Sequence, residues 1–342
     1  MIDLKNKISG FYKIGEIIKT QLQYSNDVFE KAYLQNHWFD YENLTISLNY
    51  WINTLSQKEN IDWMVSIAQK NSRPKNIGIV CAGNIPLVGF HDVLCVLLSG
   101  NIAKIKLSHQ DTVMMKFLIE GVLTIVDDWK ELIQYKEKLG EVDALIATGS
   151  DNTARYLDYY FSNTPRILRK NRTSVAILSG EESNEELMKL GKDIFTYYGL
   201  GCRNVSKIYV PVDYNFDPLL NCWYEHFKNV IHHNKYLNNY EYRKAIFDMN
   251  SIKYLDNGLI LLLENENFFS QVATIHYTRY SKIESCIEDI IQNQDKIQVI
   301  STNIEISKIQ TINICRLGET QNPRLTDFAD NIDTILFLKN LK

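Results

Sequence analysis

Cys202 stands between Gly201 and Arg203, three residues after Gly199. Glycine lets a backbone approach a ligand closely and take dihedrals closed to other residues. An adjacent arginine and nearby amides lower a thiol's pKa and favour the nucleophilic thiolate. The same placement also suits a buried structural cysteine beside a glycine turn. The segment Ala82-Gly83-Asn84-Ile85-Pro86-Leu87 offers a second group. An asparagine in a tight turn either points its amide donors at a developing oxyanion or satisfies its own turn. Lys106 can reach a ribose or phosphate oxygen, or stand solvated at a strand end. Thr148-Gly149-Ser150 can hold phosphate at a helix N-terminus, or serve as an ordinary N-cap. Neither GxGxxG nor GxxxxGK[ST] occurs, so neither standard phosphate cradle is present.

The elements that must position these residues change character near residue 72. Residues 1–72 carry apolar positions at spacings of three and four (Ile14, Ile18, Leu22; then Leu44, Leu48, Trp51), which predicts helices. A polar break with Pro74 follows. Short apolar runs then alternate with amphipathic segments: strands at Asn76–Cys81, Ile102–Leu107, Ala144–Ala147 and Thr173–Leu178, with helices at Leu87–Leu98, Thr112–Val126 and Asn152–Phe161. This alternation predicts an α/β fold with a doubly wound parallel sheet. Ligands of such a sheet sit beyond the carboxyl ends of its strands, here Ala82–Pro86, Leu107–Gln110 and Thr148–Ser150. From Glu181 a second α/β pattern starts: a helix over Glu185–Tyr197, a strand at Lys207–Pro211, helices around Asp217–His232, and strands near Leu259–Leu263 and Gln298–Ser301. The predicted division is a helical region over 1–75, a dinucleotide-binding domain over 76–180, a domain bearing the cysteine over 181–325, and a terminal strand or tail over 326–342.

Composition excludes more than it specifies. The chain has 342 residues, 45% hydrophobic and 23% charged, with a net charge of −4. That length predicts about two domains, and the charge gives no footprint for nucleic acid or an anionic membrane. The six cysteines form no CxxC pair, and the adjacent His232 and His233 would diverge on either a helix or a strand, so no metal site is expected. The N-terminus lacks a continuous apolar core and the longest apolar stretches are short or broken by asparagine, so a cytoplasmic protein without a membrane span is expected.

In order and spacing these segments resemble the aldehyde dehydrogenase superfamily, most closely its acyl-CoA reductase branch, which includes the fatty-acid reductases of bioluminescence. The family's NFPL turn is similar to Asn84-Ile85-Pro86-Leu87, and its GNxxxxK segment to Gly100-Asn101 followed by Lys106. Its TGS turn appears as Thr148-Gly149-Ser150. Its nucleophile motif resembles Gly199-Leu200-Gly201-Cys202 with Lys207 and Val210. The resemblance spans roughly 76–211. It implies a Rossmann-type sheet domain beside a second α/β catalytic domain, with Cys202 as nucleophile and Asn84 as oxyanion donor. It further implies that Lys106, Ser108, His109, Thr148, Gly149 and Ser150 bind the cofactor, with Glu319 of Arg316-Leu317-Gly318-Glu319 on the nicotinamide ribose.

Two departures from the family pattern matter. Members that form acids place a water-activating glutamate between the TGS turn and the cysteine, whereas no Glu occurs from Asp151 to Gly180 and the aligned stretch reads Ile167-Leu168-Arg169-Lys170. A cysteine-bound acyl group is then protected from hydrolysis and open to reduction or thiol exchange. The position where NAD-specific members often carry Glu is His109, beside Ser108, which admits a 2′-phosphate and implies NADPH, with NADH as the alternative. Leu200 replaces the family's Gln. The implied reaction is reduction of a fatty acyl-CoA, or an acyl-carrier thioester, to an aldehyde. The family also implies an acyl-loading partner protein and a homo-oligomer, in which the strand expected within Pro323–Leu338 pairs with a neighbouring subunit. The alternatives are an acyltransferase or hydrolase using the same cysteine, or a binding protein that keeps the fold without turnover.

Overall fold

In the computed structural model, which describes residues 2–25, 27–306, 309 and 311–341, the chain forms two compact units. The first comprises Met1–Lys170 with Arg324–Lys342, and the second Asn171–Pro323. The first begins with helices α1 (Ile2–Ile8), α2 (Ile14–Tyr24), α3 (Val28–Gln35), α4 (Tyr41–Ser56) and α5 (Lys58–Ile67). Their apolar faces follow the spacing expected: Ile14 and Ile18 of α2, and Leu44, Leu48, Trp51 and Leu55 of α4, are all buried. They join one core with the sheet that follows, so the helical segment is a layer of this unit.

That sheet consists of β1 (Asn76–Val80), β2 (Ile102–Lys106), β3 (Ile133–Tyr135), β4 (Ala144–Thr148) and β5 (Arg166–Arg169), connected through α6 (Phe90–Leu98), α7 (Thr112–Ile125) and α8 (Asp151–Tyr160). Its order is β3-β2-β1-β4-β5, parallel throughout. The near-continuous apolar runs of β1 and β4 are those of strands covered on both faces. The order reverses beside β1, which makes the carboxyl edge of β2, β1 and β4 the crevice of the unit.

The second unit holds β6 (Thr173–Ile177), α9 (Asn184–Phe195), β7 (Val205–Pro211), α10 (Asp217–Phe227), α11 (Asn234–Met249), β8 (Leu255–Asp256), β9 (Leu261–Glu264), β10 (Thr274–Tyr280), α12 (Ile283–Gln292), β11 (Ile297–Ser301) and β12 (Asn313–Cys315). Its seven strands run β12-β11-β6-β7-β10-β9-β8, with only the β8–β9 pair antiparallel. Cys286, Ile287 and Ile290 of α12 pack against Val175, Ile177 and Ile300.

Three expectations change. Thr173–Leu178 is not the fourth strand of the first sheet: β6 pairs with β7 and β11, and the units divide at 170/171 rather than near 180. The fourth and fifth places are taken by β5 and β3, which periodicity misses because β5 carries arginine at both ends and β3 has only three residues. The segment ending at Leu338 is not a strand. Thr334–Lys339 forms helix α13, capped by Asp333, whose carboxylate accepts from Leu336 N–H at 2.9 Å. Ile335 and Leu338, three apart, are buried while Leu336 between them is exposed, a helical rather than an alternating pattern. Arg169 and Asp92 form a buried ion pair, and Arg169 Nη2 donates to Thr334 Oγ1 at 3.1 Å, tying α13 to this unit.

Candidate active site

Helix α9 leads to Cys202. It opens with a capping box, Ser183 and Glu186 each bonding the other's backbone N–H, and buries Leu187, Leu190 and Ile194. Past Phe195 the chain turns sharply: Tyr197, Tyr198 and Gly199 all take left-handed dihedrals, with φ of 54°, 58° and 76°. The two tyrosines incur roughly 1–2 kcal/mol each for that conformation. Burial of both rings offsets it, and Tyr198 packs on His233 with centroids 4.4 Å apart.

Asn204, two residues beyond the cysteine, holds the turn. Its side-chain amide donates to the carbonyls of Asp193, Ile194 and Thr196 at 3.1, 3.3 and 2.8 Å, and its Oδ1 accepts from Gly201 N–H at 2.8 Å. The orphan carbonyls at the end of α9 are thereby satisfied. Cys202 itself is exposed, with its carbonyl accepting from Ser174 Oγ at 3.0 Å. Arg203 Nη1 donates to Thr320 O at 3.3 Å.

The other five thiols are buried or partly buried. Burial pushes the thiols of Cys81, Cys95 and Cys222 up, and those of Cys286 and Cys315 up to about 12. A thiol that stays protonated at neutral pH is a poor nucleophile. Of the six, only Cys202 is exposed.

Sequence reasoning missed Asp193 as well as Asn204. Asp193 is fully buried on α9, where its Oδ1 accepts from Thr320 N–H and Oγ1 and its Oδ2 from Ser301 Oγ and Gly318 N–H. Burial pushes its pKa up, and those four donors partly oppose the shift. A carboxylate on the buried face of an amphipathic helix is the signal that could have found it. The network fixes the Arg316–Thr320 turn, on which Glu319 is exposed, its Oε2 accepting from Arg316 N–H at 3.3 Å.

The remaining residues lie in the first unit. Asn84 follows β1, Lys106 ends β2, and Thr148-Gly149-Ser150 spans the end of β4 and the cap of α8, so all three loops share the carboxyl edge. Asn84 and Lys106 are exposed, as is His109. Ser108 Oγ accepts from Gln110 N–H at 3.2 Å and packs so tightly on Gly83 that a Cβ there would lie 2.4 Å from it. Ser150 is the N-cap of α8, accepting from Thr153 N–H at 3.3 Å, with Thr148 and Gly149 partly buried before it. On β5 both arginines are engaged, Arg166 with Asp158 and Arg169 with Asp92.

The residues of this edge fit an anionic dinucleotide. A cation ends β2, hydroxyls lie along the same edge at Ser108 after β2 and at Thr148 and Ser150 after β4, and a ten-residue helix presents its positive end. Among the described residues no cluster of histidine, cysteine or carboxylate could hold a metal, and no helix is long and apolar enough to cross a membrane.

No protein-family model matches the sequence, and no curated protein does. Solved structures do. The substrate-bound state of Staphylococcus aureus AldH is 15% identical, with 89% of this chain and 77% of that chain covered at a TM-score of 0.60. The NAD+ complex of aldehyde dehydrogenase from Bacillus cereus is 13% identical, with 89% and 72% covered, also at 0.60. The aldehyde dehydrogenase KauB from Pseudomonas aeruginosa is 12% identical, covering 89% and 72% at 0.59. The chain has the aldehyde dehydrogenase fold.

Proposed function

We propose that the protein is an oxidoreductase of the acylating aldehyde dehydrogenase type, reducing a fatty acyl-CoA thioester to an aldehyde with NADPH. The observation that carries the reading is Cys202: the one exposed thiol, held on a strained turn that buried Asn204 staples to α9. In this reading the Cys202 thiolate attacks the thioester carbonyl, a new carbon–sulfur bond forms, and CoA leaves as its thiolate. The Asn84 amide and the Cys202 backbone N–H stabilise the oxyanion, a contribution of about 3–4 kcal/mol per donor in comparable sites. Lys106, Ser108, His109, Thr148, Gly149 and Ser150 hold the cofactor, with Glu319 on its nicotinamide ribose. When bound there, a reduced nicotinamide supplies the two electrons that take the acyl group to the aldehyde level. The balance is acyl-CoA, NADPH and a proton to aldehyde, CoA and NADP+.

Two features support reduction over hydrolysis and transfer. The stretch that the resemblance aligns with the family's water-activating glutamate, Ile167-Leu168-Arg169-Lys170, holds no carboxylate, and its Arg169 is paired with Asp92. The segment Lys106–Gln110 contains no carboxylate, which favours a 2′-phosphate and hence NADPH.

A coupled assay across acyl-CoA chain lengths tests this. The expected result is NADPH consumption matched one to one by aldehyde and free CoA, faster than with NADH. Release of free acid and CoA without NADPH consumption would assign the protein to the thioester hydrolases.

A further inference from the structure

The turn that carries Asn84 is held by residues far from it in sequence. Asn36, just past α3, donates through Nδ2 to Gly83 O at 3.1 Å. Ser47 of α4 donates through Oγ to Pro86 O at 2.9 Å. Asp111, the cap of α7, accepts from Leu87 N–H through Oδ2 at 2.6 Å. All three are nine-tenths or more buried, at 5%, 3% and 1% exposure, whereas Asn84 between them is exposed.

Leu87 shows what the bonds hold against. It sits at φ 62°, a left-handed conformation that a leucine does not take unaided, and its carbonyl accepts from Phe90 N–H as α6 begins. Below the turn, Gly83 lies against Ser108 with no room for a Cβ. Gln35, next to Asn36, accepts from the N–H groups of Thr112 and Val113 through Oε1. The α3 end thus bonds both the loop after β1 and the start of α7.

We infer that the helical layer over Ile2–Ile67 serves the active site: Asn36 and Ser47, with Asp111, are positioning residues that fix the Asn84 amide. Two carbonyls and one amide of a five-residue turn are each bonded by a buried side chain, and the turn carries Asn84 at an exposed position. The inference rests on the reading of Asn84 as an oxyanion donor, and the test separates the two.

Acylation of the full chain by acyl-CoA is followed in single turnover, as CoA release, for Ser47→Ala, Asp111→Ala and Asp111→Asn. Each is made in the parent and in an Asn84→Ala background. Loss of one clamping bond is expected to slow acylation about tenfold in the parent, with the rate partly restored by Asp111→Asn, which keeps an acceptor for Leu87 N–H. In the Asn84→Ala background the same substitutions are expected to add nothing, and alkylation of Cys202 by iodoacetamide, which develops no oxyanion, is expected to be unchanged in all. Equal slowing in both backgrounds would overturn the clamp, since a purely structural role acts regardless of Asn84. Asn84→Ala acylating at the parent rate would overturn the oxyanion reading and the clamp together.

A second measurement needs no substrate. Hydrogen exchange of the segment 82–90 is expected to be at least about tenfold faster in Ser47→Ala and Asp111→Ala, with exchange in β4 unchanged. Unchanged exchange in 82–90 would overturn the clamp even if the parent accepts no acyl-CoA at all.

Discussion

The turn before Cys202 and the turn around Asn84 solve one problem with different means. Each forces non-glycine residues into left-handed backbone, Tyr197 and Tyr198 in one and Leu87 in the other, and each presents an exposed residue of the proposed chemistry. The cysteine turn is held mainly from close by: Asn204 reaches carbonyls only eight to eleven residues back. The asparagine turn is held from 47, 39 and 24 residues away, by α3, α4 and the start of α7. A reactive residue is thus announced by its neighbours in sequence, but the groups that aim it need not be.

Breaking the reactive groups and their supports ranks the two turns. Short of removing Cys202 itself, Asn84→Ala is expected to give the largest catalytic loss, about 10²–10³-fold in kcat with a smaller change in KM, read by steady-state kinetics. Asn204→Ala removes bonds to three carbonyls and to Gly201, and a loss of about 2–3 kcal/mol in unfolding free energy is expected from denaturant titration. Asp193→Asn replaces an acceptor by an amide donor, and each of its two oxygens faces a backbone N–H, Gly318 or Thr320, that cannot reverse. About 1–3 kcal/mol of stability is expected to go, again read by denaturant titration.

The smallest effect is one of pH. Burial pushes the Asp111 carboxyl well above the usual carboxylate range, so the folded state holds its proton where the unfolded state has lost it. Stability from this group is therefore full below the unfolded pKa and is lost as pH rises through the folded one. Thermal unfolding of parent and Asp111→Asn should show the variant gaining on the parent as pH rises from about 4. A constant difference would mean that Asp111 is ionised in its buried site.

These contrasts also mark how far the sequence could be read. Apolar runs located β1, β2, β4, β6 and β7 to within a residue or two, since a doubly covered strand leaves a continuous signature. The same runs could not say that β6 belongs to the second sheet, because pairing is a non-local choice. Periodicity missed β10 and α12, and it missed β5, whose arginines are neutralised by ion pairs formed only in the fold. At the candidate site, Cys202, Asn84 and Lys106 were legible as candidates from type and spacing. Asn36, Ser47, Asp111 and Asn204 were not, because a buried hydrogen-bonding role leaves no local pattern; Asp193 alone carried one, as a carboxylate on the apolar face of α9.

The central claim is that Cys202 carries the acyl group. Intact-protein and peptide mass spectrometry after incubation with a long-chain acyl-CoA and no nicotinamide tests it most directly. One acyl adduct per chain is expected, on Cys202 and absent from Cys202→Ala, with an equal amount of CoA released and the adduct lost as aldehyde when NADPH is added. An adduct of undiminished yield on Cys202→Ala, or aldehyde made at the parent rate by that variant, would contradict it.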